Sequence, residues 1–375
     1  MIRVLSVFGT RPEAIKMAPV VHRLSSDPGF ESVVCVTAQH RDMLDQVLSL
    51  FELAPDEDLD LMLPGQNLHD LTARAISGLR PVLEKHRPDA VLVHGDTTTS
   101  LCAALAAFYL QIPIGHVEAG LRTGDLSSPF PEEANRVLTD KLSALHFAPT
   151  RRAADNLLQE GVPKEWIHVT GNTVIDALLW MRDRLEPLDD YAETYGSAGR
   201  LIVEKRPFIL VTGHRRESFG GGFQRICQAL KQIAQASPDI DLVYPVHLNP
   251  NVQGPVNSML SSQPNIHLIP PLGYMDFVRL MDSCLFILTD SGGIQEEAPS
   301  LGKPTLVMRD KTERPEGLAA GVVKLVGTDT ARIFAEAQTL LSDSEAYASM
   351  AKGSNPYGDG KASDRIADAL RRRLS

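Results

Sequence analysis

A chain of 375 residues is longer than one hydrophobic core organises, so two domains are expected. An apolar fraction of 43% excludes a disordered chain, and a formal charge of −10 with a pI near 5.6 argues against a general binder of nucleic acid or anionic membranes, which leaves a small-molecule partner. Cys35, Cys102, Cys227 and Cys284 are widely spaced, form no CxxC pair and read as reduced core residues. MIRVLSVFG carries only a short apolar run without a cleavage-like segment, and no stretch reaches about 18 apolar residues, so the expected localisation is cytoplasmic.

The first predicted strand, VLSVF, passes through a glycine turn into GTRPEAIKMAP. There Thr10 is placed to cap a helix, Glu13 to complete a capping box, and Pro12 to sit in the first turn, while Met17, Val20, Val21 and Leu24 recur at helical spacing. Arg11 then stands at the positive end of a helix dipole, which favours an anion over a guanidinium. Taken alone, Arg11 is accounted for by Glu13 neutralising the dipole while the arginine points to solvent; a ligand anion accounts for it equally once other cations join it.

ESVVCVTA, DAVLVHG, PIGHVEAG and LHFAPT follow as strand candidates, each succeeded by an amphipathic or Ala/Leu-rich segment, and IHVTG reads as a strand leaving the first domain near GNTVIDAL. The pattern falters over about residues 183–205, then resumes with PFILVTG, DLVYPVH, NIHLIPP, CLFILTD and KPTLVM. Repeated βα predicts an α/β protein of two Rossmann-like, doubly wound parallel-sheet domains facing a cleft: residues 1–171 and a ligand-binding 172–360. The last helix, about 361–375, is open to packing on either domain, including a return to the first.

Open parallel sheets gather ligands beyond the carboxyl ends of their strands. Those positions hold Arg11, Gln39, His40, Asp96 and Glu118 in the first half, and His214, His247 and Ser291 in the second. In LFILTDSGGIQEE, Ser291, Gly292 and Gly293 follow a buried strand and open a helix, the arrangement in which backbone N–H groups cradle a diphosphate. Glu296 and Glu297 a turn later either complement the dipole or accept bonds from ribose hydroxyls. GHRRESF adds His214, Arg215 and Arg216, although surface arginines paired with Glu217 would look the same. No GxGxxG with a following acidic residue follows the first strand and no GxxxxGK[ST] occurs, so neither bound NAD nor P-loop phosphoryl transfer is indicated.

Asp96, Glu118 and Glu132 form a candidate proton-handling set. PFPEEANR starts a helix through Pro131, with Glu132 and Glu133 in its first turn and Arg136 one turn on. Single first-turn acids are commonplace, but three carboxylates sharing one site raise the pKa of at least one of them and permit proton transfer on two faces of a substrate. No Cys/His spacing suggests zinc and no GxSxG elbow appears, so no metal and no cofactor are expected.

With those residues assembled, the chain resembles the bacterial non-hydrolysing UDP-N-acetylglucosamine 2-epimerases from Arg3 to near the C-terminus. GTRPEAIKMAP, QHRDMLDQ, GDTTTS, HVEAGLRTGD, PFPEEANR, GNTVID, GHRRESFG, PVHLNP, DSGGIQEEAPSLGKP and RDKTERPE are similar to that family's blocks, in its order. The resemblance implies a glycosyltransferase-B-type fold closing over a UDP-sugar, a homodimer, and reversible inversion at C2 between UDP-GlcNAc and UDP-ManNAc, serving cell-surface polysaccharide synthesis. It also implies Arg11, His214, Ser291, Gly292 and Gly293 at the diphosphate, Glu297 at the ribose, and backbone around Leu272 and Phe277 at the uracil. Asp96, Glu118 and Glu132 would handle protons, with His214 counted in the catalytic set; Lys16, Arg136, His247 and Arg314 are further site residues. Gln39 and His40 resemble part of a regulatory second-substrate region. Rival readings are a related epimerase for a diacetamido uronic acid, a glycosyltransferase using the same UDP cradle, and a UDP-sugar binding protein without catalysis.

Overall fold

The computed structural model describes the chain apart from residues 38–40, 62–64, 186–190, 216, 218 and 375, and apart from the side chains of 41–43, 191–195 and 197. It divides into two units: Met1–Leu179 with Tyr357–Ser375, and Trp180–Pro356. The division falls inside the helix Thr173–Arg182, which begins at the sequence-predicted crossover.

The first unit is built on a seven-stranded sheet of β1 (Ile2–Phe8), β2 (Phe30–Val36), β3 (Glu57–Asp58), β4 (Ala90–His94), β5 (Ile114–Val117), β6 (Leu145–Ala148) and β7 (Ile167–Val169). Its spatial order is β3-β2-β1-β4-β5-β6-β7, and every pairing is parallel. Helices on both faces bury such strands completely, which is why β4 and β5 read as unbroken buried runs and not as alternating ones. The order reverses between β1 and β4. Their register, Ser6 opposite Leu92, sets the two carboxyl ends side by side at the switch point where ligands collect.

The second unit repeats the plan with β8 (Phe208–Thr212), β9 (Asp241–Pro245), β10 (Ile266–Ile269), β11 (Ile287–Thr289), β12 (Thr305–Val307) and β13 (Val323–Leu325), in the order β10-β9-β8-β11-β12-β13. Here the switch point lies between β8 and β11, with Thr212 opposite Thr289. Ile209, Val211, Phe223, Ile226, Leu230, Leu242 and Tyr244 fill one face of this sheet. Two doubly wound parallel sheets are thus the fold. The four cysteines are buried and unpaired, and burial pushes the Cys35, Cys227 and Cys284 thiols up to about 12 and Cys102 to about 11.

Three elements depart from the sequence expectation. β3 and β13 are edge strands of two and three residues, too short to leave a hydrophobic run. The faltering segment contains the helix Tyr191–Val203, whose Ala198, Leu201 and Ile202 are buried although Gly196 breaks its helical backbone. The C-terminal helix Ala362–Leu374 joins the first unit: Asp176 accepts its Ala362 and Ser363 N–H groups, and Arg371 and Asp364 pair with Asp27 and Arg23. No helix among the described residues is long and apolar enough to cross a membrane.

Candidate active site

In the first unit, the turn after β1 leads into the helix Arg11–Ser25. Thr10 caps it and Glu13 closes the capping box, accepting the Thr10 N–H at 2.7 Å and that of Gly9 at 3.0 Å. Glu13 does more than sequence reasoning assigned to it. Its other oxygen accepts the Thr97 hydroxyl at 2.5 Å and the Ser100 hydroxyl at 3.0 Å, so one buried carboxylate joins the turns after β1 and β4. Arg11 is half-buried and makes no side-chain hydrogen bond or ion pair among the described residues.

Thr97, not Asp96, caps the helix Thr98–Tyr109, and this leaves the Asp96 carboxylate to pair with Arg136. The Asp96 backbone carbonyl accepts from Asn135 Nδ2 at 2.9 Å. Burial raises the Asp96 carboxyl above its ordinary range; the Arg136 charge opposes this, Glu118 adds to it, and Lys16 opposes it. Glu118 follows β5 with φ 66, left-handed backbone that a non-glycine residue holds only when its surroundings impose it. Its carboxylate accepts from Lys16 Nζ at 2.5 Å and Asn172 Nδ2 at 2.9 Å. Nearby, burial drives the His94 ring down to about 3.

Lys16, Asp96, Glu118 and Arg136 are therefore brought together. Glu132, the first residue of the helix Glu132–Leu142, is half-buried and makes no side-chain hydrogen bond or ion pair among the described residues. Its neighbour Glu133 is the buried one, accepting N–H groups of Thr123 and Gly124 at 2.9 and 3.0 Å and facing Arg136 at 3.4 Å. Gln39 and His40 lie outside the described residues.

In the second unit, a cavity of about 270 Å³ opens at the carboxyl ends of its strands, lined among others by His214, His247, Leu272, Phe277 and Ser291. The His214 and His247 rings stack at 5.3 Å between centroids, and the Asn249 N–H donates to His247 Nδ1 at 3.1 Å. Burial lowers the His214 pKa, opposed by Asp290 and assisted by His247 and Arg215. Ser291 stands at the N-cap of the short helix Gly292–Glu297, whose first N–H groups have no intrahelical partner. A Cβ built on Gly292 would lie 3.8 Å from Arg215 Nη2 and 3.9 Å from Arg314 Cζ, so two guanidinium groups flank this helix start.

Arg314 is oriented by Glu296, and Glu297 accepts the Tyr274 hydroxyl at 3.3 Å. Leu272 and Phe277 supply the apolar wall, and the Phe277 N–H is taken by the Gly273 carbonyl at 3.0 Å. Asp290 is the residue that sequence reasoning passed over. Fully buried, it accepts the His214 and Arg215 N–H groups at 2.7 and 2.8 Å, and its other oxygen lies 3.6 Å from His214 Nδ1. The signal was present, since an aspartate directly after a buried strand stands inside the quoted LTDSGG. Tying the turn after β8 to the end of β11, it sets the direction in which the His214 and Arg215 side chains leave the backbone. Cations, bare N–H groups and an apolar wall suit a nucleoside diphosphate.

The family described as UDP-N-acetylglucosamine 2-epimerase matches residues 22–371. The UDP-N-acetylglucosamine 2-epimerase of Salmonella typhimurium is 59% identical over 369 residues, 98% of each chain, and that of Yersinia pestis 61% identical over the same shares. Among solved structures, UDP-GlcNAc 2-epimerase from Neisseria meningitidis bound to UDP-GlcNAc superposes with a TM-score of 0.87 at 53% identity, covering 99% of this chain and 100% of that one.

Proposed function

This chain belongs to the UDP-N-acetylglucosamine 2-epimerase family, and from that premise we propose that it inverts C2 of UDP-N-acetylglucosamine reversibly, giving UDP-N-acetylmannosamine. It is an enzyme, an isomerase of that family. One observation carries the reading of its chemistry: two carboxylates at adjacent strand ends, each held by a cation, Asp96 by Arg136 and Glu118 by Lys16.

C2 of the sugar has no adjacent carbonyl, so simple deprotonation there is too costly. We infer that removal of the C2 proton is coupled to departure of UDP from C1, which leaves a C1–C2 double bond, a glycal. Return of a proton to the opposite face of C2 and re-addition of UDP at C1 restore the nucleotide sugar with C2 inverted. Asp96, Glu118 and Glu132 are the proton-handling groups in this scheme. The raised Asp96 carboxyl supports the assignment, because a carboxyl closer to the working pH exchanges protons more readily.

The negative charge that develops on the departing diphosphate falls to Arg215, Arg314, His214 and the N–H groups at Gly292 and Gly293, with Arg11 as a further cation. Losing one comparable contact to a developing oxyanion costs about 3 kcal/mol. Glu297 is assigned to the ribose, and the backbone around Leu272 and Phe277 to the uracil. The downstream role proposed is supply of N-acetylmannosamine for cell-surface polysaccharide, in the cytoplasm. A homodimer is proposed as well, supported by the exposed Phe108 and Tyr109 at the end of the helix Thr98–Tyr109; light scattering on the eluting protein tests it.

Incubation with UDP-GlcNAc in D₂O, followed by NMR at the sugar C2 position, tests the function. Deuterium at C2 together with UDP-ManNAc is the expected result. An unchanged sugar refutes it, and turnover of a diacetamido uronic acid nucleotide in its place would favour the rival substrate.

A further inference from the structure

The proposed chemistry leaves unused a buried ionic cluster directly behind its carboxylates. His116, on β5, is completely buried; its Nε2 lies 2.7 Å from the Gly95 carbonyl and its Nδ1 2.6 Å from Asp140 Oδ1. Asp140 Oδ2 accepts the Gly120 N–H at 3.2 Å and Arg122 Nη2 at 2.7 Å, and Arg122 is fixed in turn by Glu160 at 2.6 and 3.0 Å. From β6, His146 Nε2 reaches the Asp140 carbonyl at 2.9 Å.

The contacts of this cluster fall on two turns. Gly95 immediately precedes Asp96, and Gly120 closes the turn that Glu118 begins. Both turns run through left-handed backbone, with φ of 64 at Gly95, 66 at Glu118 and 85 at Gly120. Strand neighbours take the Gly95 and Ala119 N–H groups, through the Val117 and Phe147 carbonyls at 2.9 and 3.2 Å, and the cluster adds the anchors at the Gly95 carbonyl and the Gly120 N–H. A Cβ at Gly120 would come within 2.2 Å of the Ala153 carbonyl, so the second turn is also pressed against the helix Arg151–Gln159.

We propose that His116 is a positioning residue for the reaction, which rests on the epimerase reading above. A carbonyl only accepts, so His116 Nε2 donates to Gly95 and fixes the turn that carries Asp96. Through Nδ1 the same ring is locked to Asp140, which fixes the turn that carries Glu118. One imidazole therefore sets the separation of the two carboxylates, while Arg122 and Glu160 keep Asp140 from following a displaced ring.

The test compares His116→Gln, which keeps a side-chain N–H within reach of Gly95, with His116→Asn, which keeps one toward Asp140 only, and with His116→Leu, which keeps neither. A misplacement of about 1 Å costs about 100-fold in turnover. His116→Leu and His116→Asn are therefore expected to lose about 10- to 100-fold in kcat, with KM and UDP affinity within about threefold of the parent, because the residues proposed to hold UDP, Arg11 apart, lie in the other unit. His116→Gln is expected to recover most of the kcat at a melting temperature no higher than that of His116→Asn. Equal kcat in the Gln and Asn variants, or a kcat that simply follows the melting temperature, overturns the proposal and makes the cluster a packing device. Should His116→Leu fail to fold, the Gln and Asn pair decides alone. Absence of turnover in the parent protein refutes the epimerase reading and this one with it; parent turnover with indifferent variants refutes only the positioning role.

Discussion

Replacing Asp290 isolates the device that orients the cationic side of the proposed diphosphate site. Its Oδ2 accepts two backbone N–H groups at 2.7 and 2.8 Å, and a hydrogen bond to a charged acceptor contributes about 1.5–3 kcal/mol, so the two together are worth about 3–6 kcal/mol before the cost of burying the carboxylate. Asp290→Asn leaves an amide oxygen for the same donors and loses only the charge, an expected loss of about 1–2 kcal/mol. Asp290→Ala leaves both N–H groups without that acceptor and is expected to cost about 3 kcal/mol or more, at the severe end for one substitution. Both variants free the His214 and Arg215 backbone to drift, so UDP affinity should fall by at least about tenfold in the Asn variant, equivalent to about 1.4 kcal/mol. Calorimetric titration with UDP and thermal melting measure the two effects separately. An Asp290→Asn protein that binds UDP as tightly as the parent would refute the reasoning.

At Gly292 the nearest side-chain atoms lie 3.8–3.9 Å from a built Cβ, so Gly292→Ala should leave stability within about 0.5 kcal/mol while its methyl obstructs the space flanked by Arg215 and Arg314; unchanged UDP affinity by titration would count against that site. Glu133→Gln should lower thermal stability by about 1.5–3 kcal/mol because it weakens the acceptor for the Thr123 and Gly124 N–H groups, whereas Glu132→Gln should melt like the parent and lose turnover. Asp96→Asn should keep UDP binding and lose turnover. Because burial raises the folded Asp96 pKa, its contribution to stability is present below the ordinary carboxyl pKa and is lost as pH rises through the folded value; the Asn variant should lack that loss in melting curves across pH. Asp140 has the opposite sign. Although burial opposes it, the His116 and Arg122 charges hold its carboxyl at about 2, so its contribution, about 2–3 kcal/mol, is present above the unfolded value and lost between about pH 4 and pH 2. Acid titration of Asp140→Asn should show that component missing.

Much of this protein was legible without coordinates because the signals were local. Apolar β-branched runs marked eleven of the strands, β1, β2, β4 to β7 and β8 to β12. The Thr10–Glu13 capping box lies within one turn of chain, and the anion-binding turn at Ser291 follows its strand directly. Short edge strands carried too few apolar residues to register, and the helix Tyr191–Val203 was hidden by its charge and by Gly196.

Other features depended on partners distant in sequence. Glu132 and Glu133 are equivalent in pattern, yet only the fold buries Glu133 against Thr123 and Gly124 and leaves its neighbour half-buried. Lys16 meets Glu118 across 102 residues, and Asp290 reaches His214 across 76, contacts that no spacing rule encodes. A capping box or a strand is set by interactions within a few residues, so composition and periodicity determine it. The partner of a buried carboxylate, and hence its charge and its role, is set by which strand ends the sheet order brings side by side, and only the tertiary structure decides that.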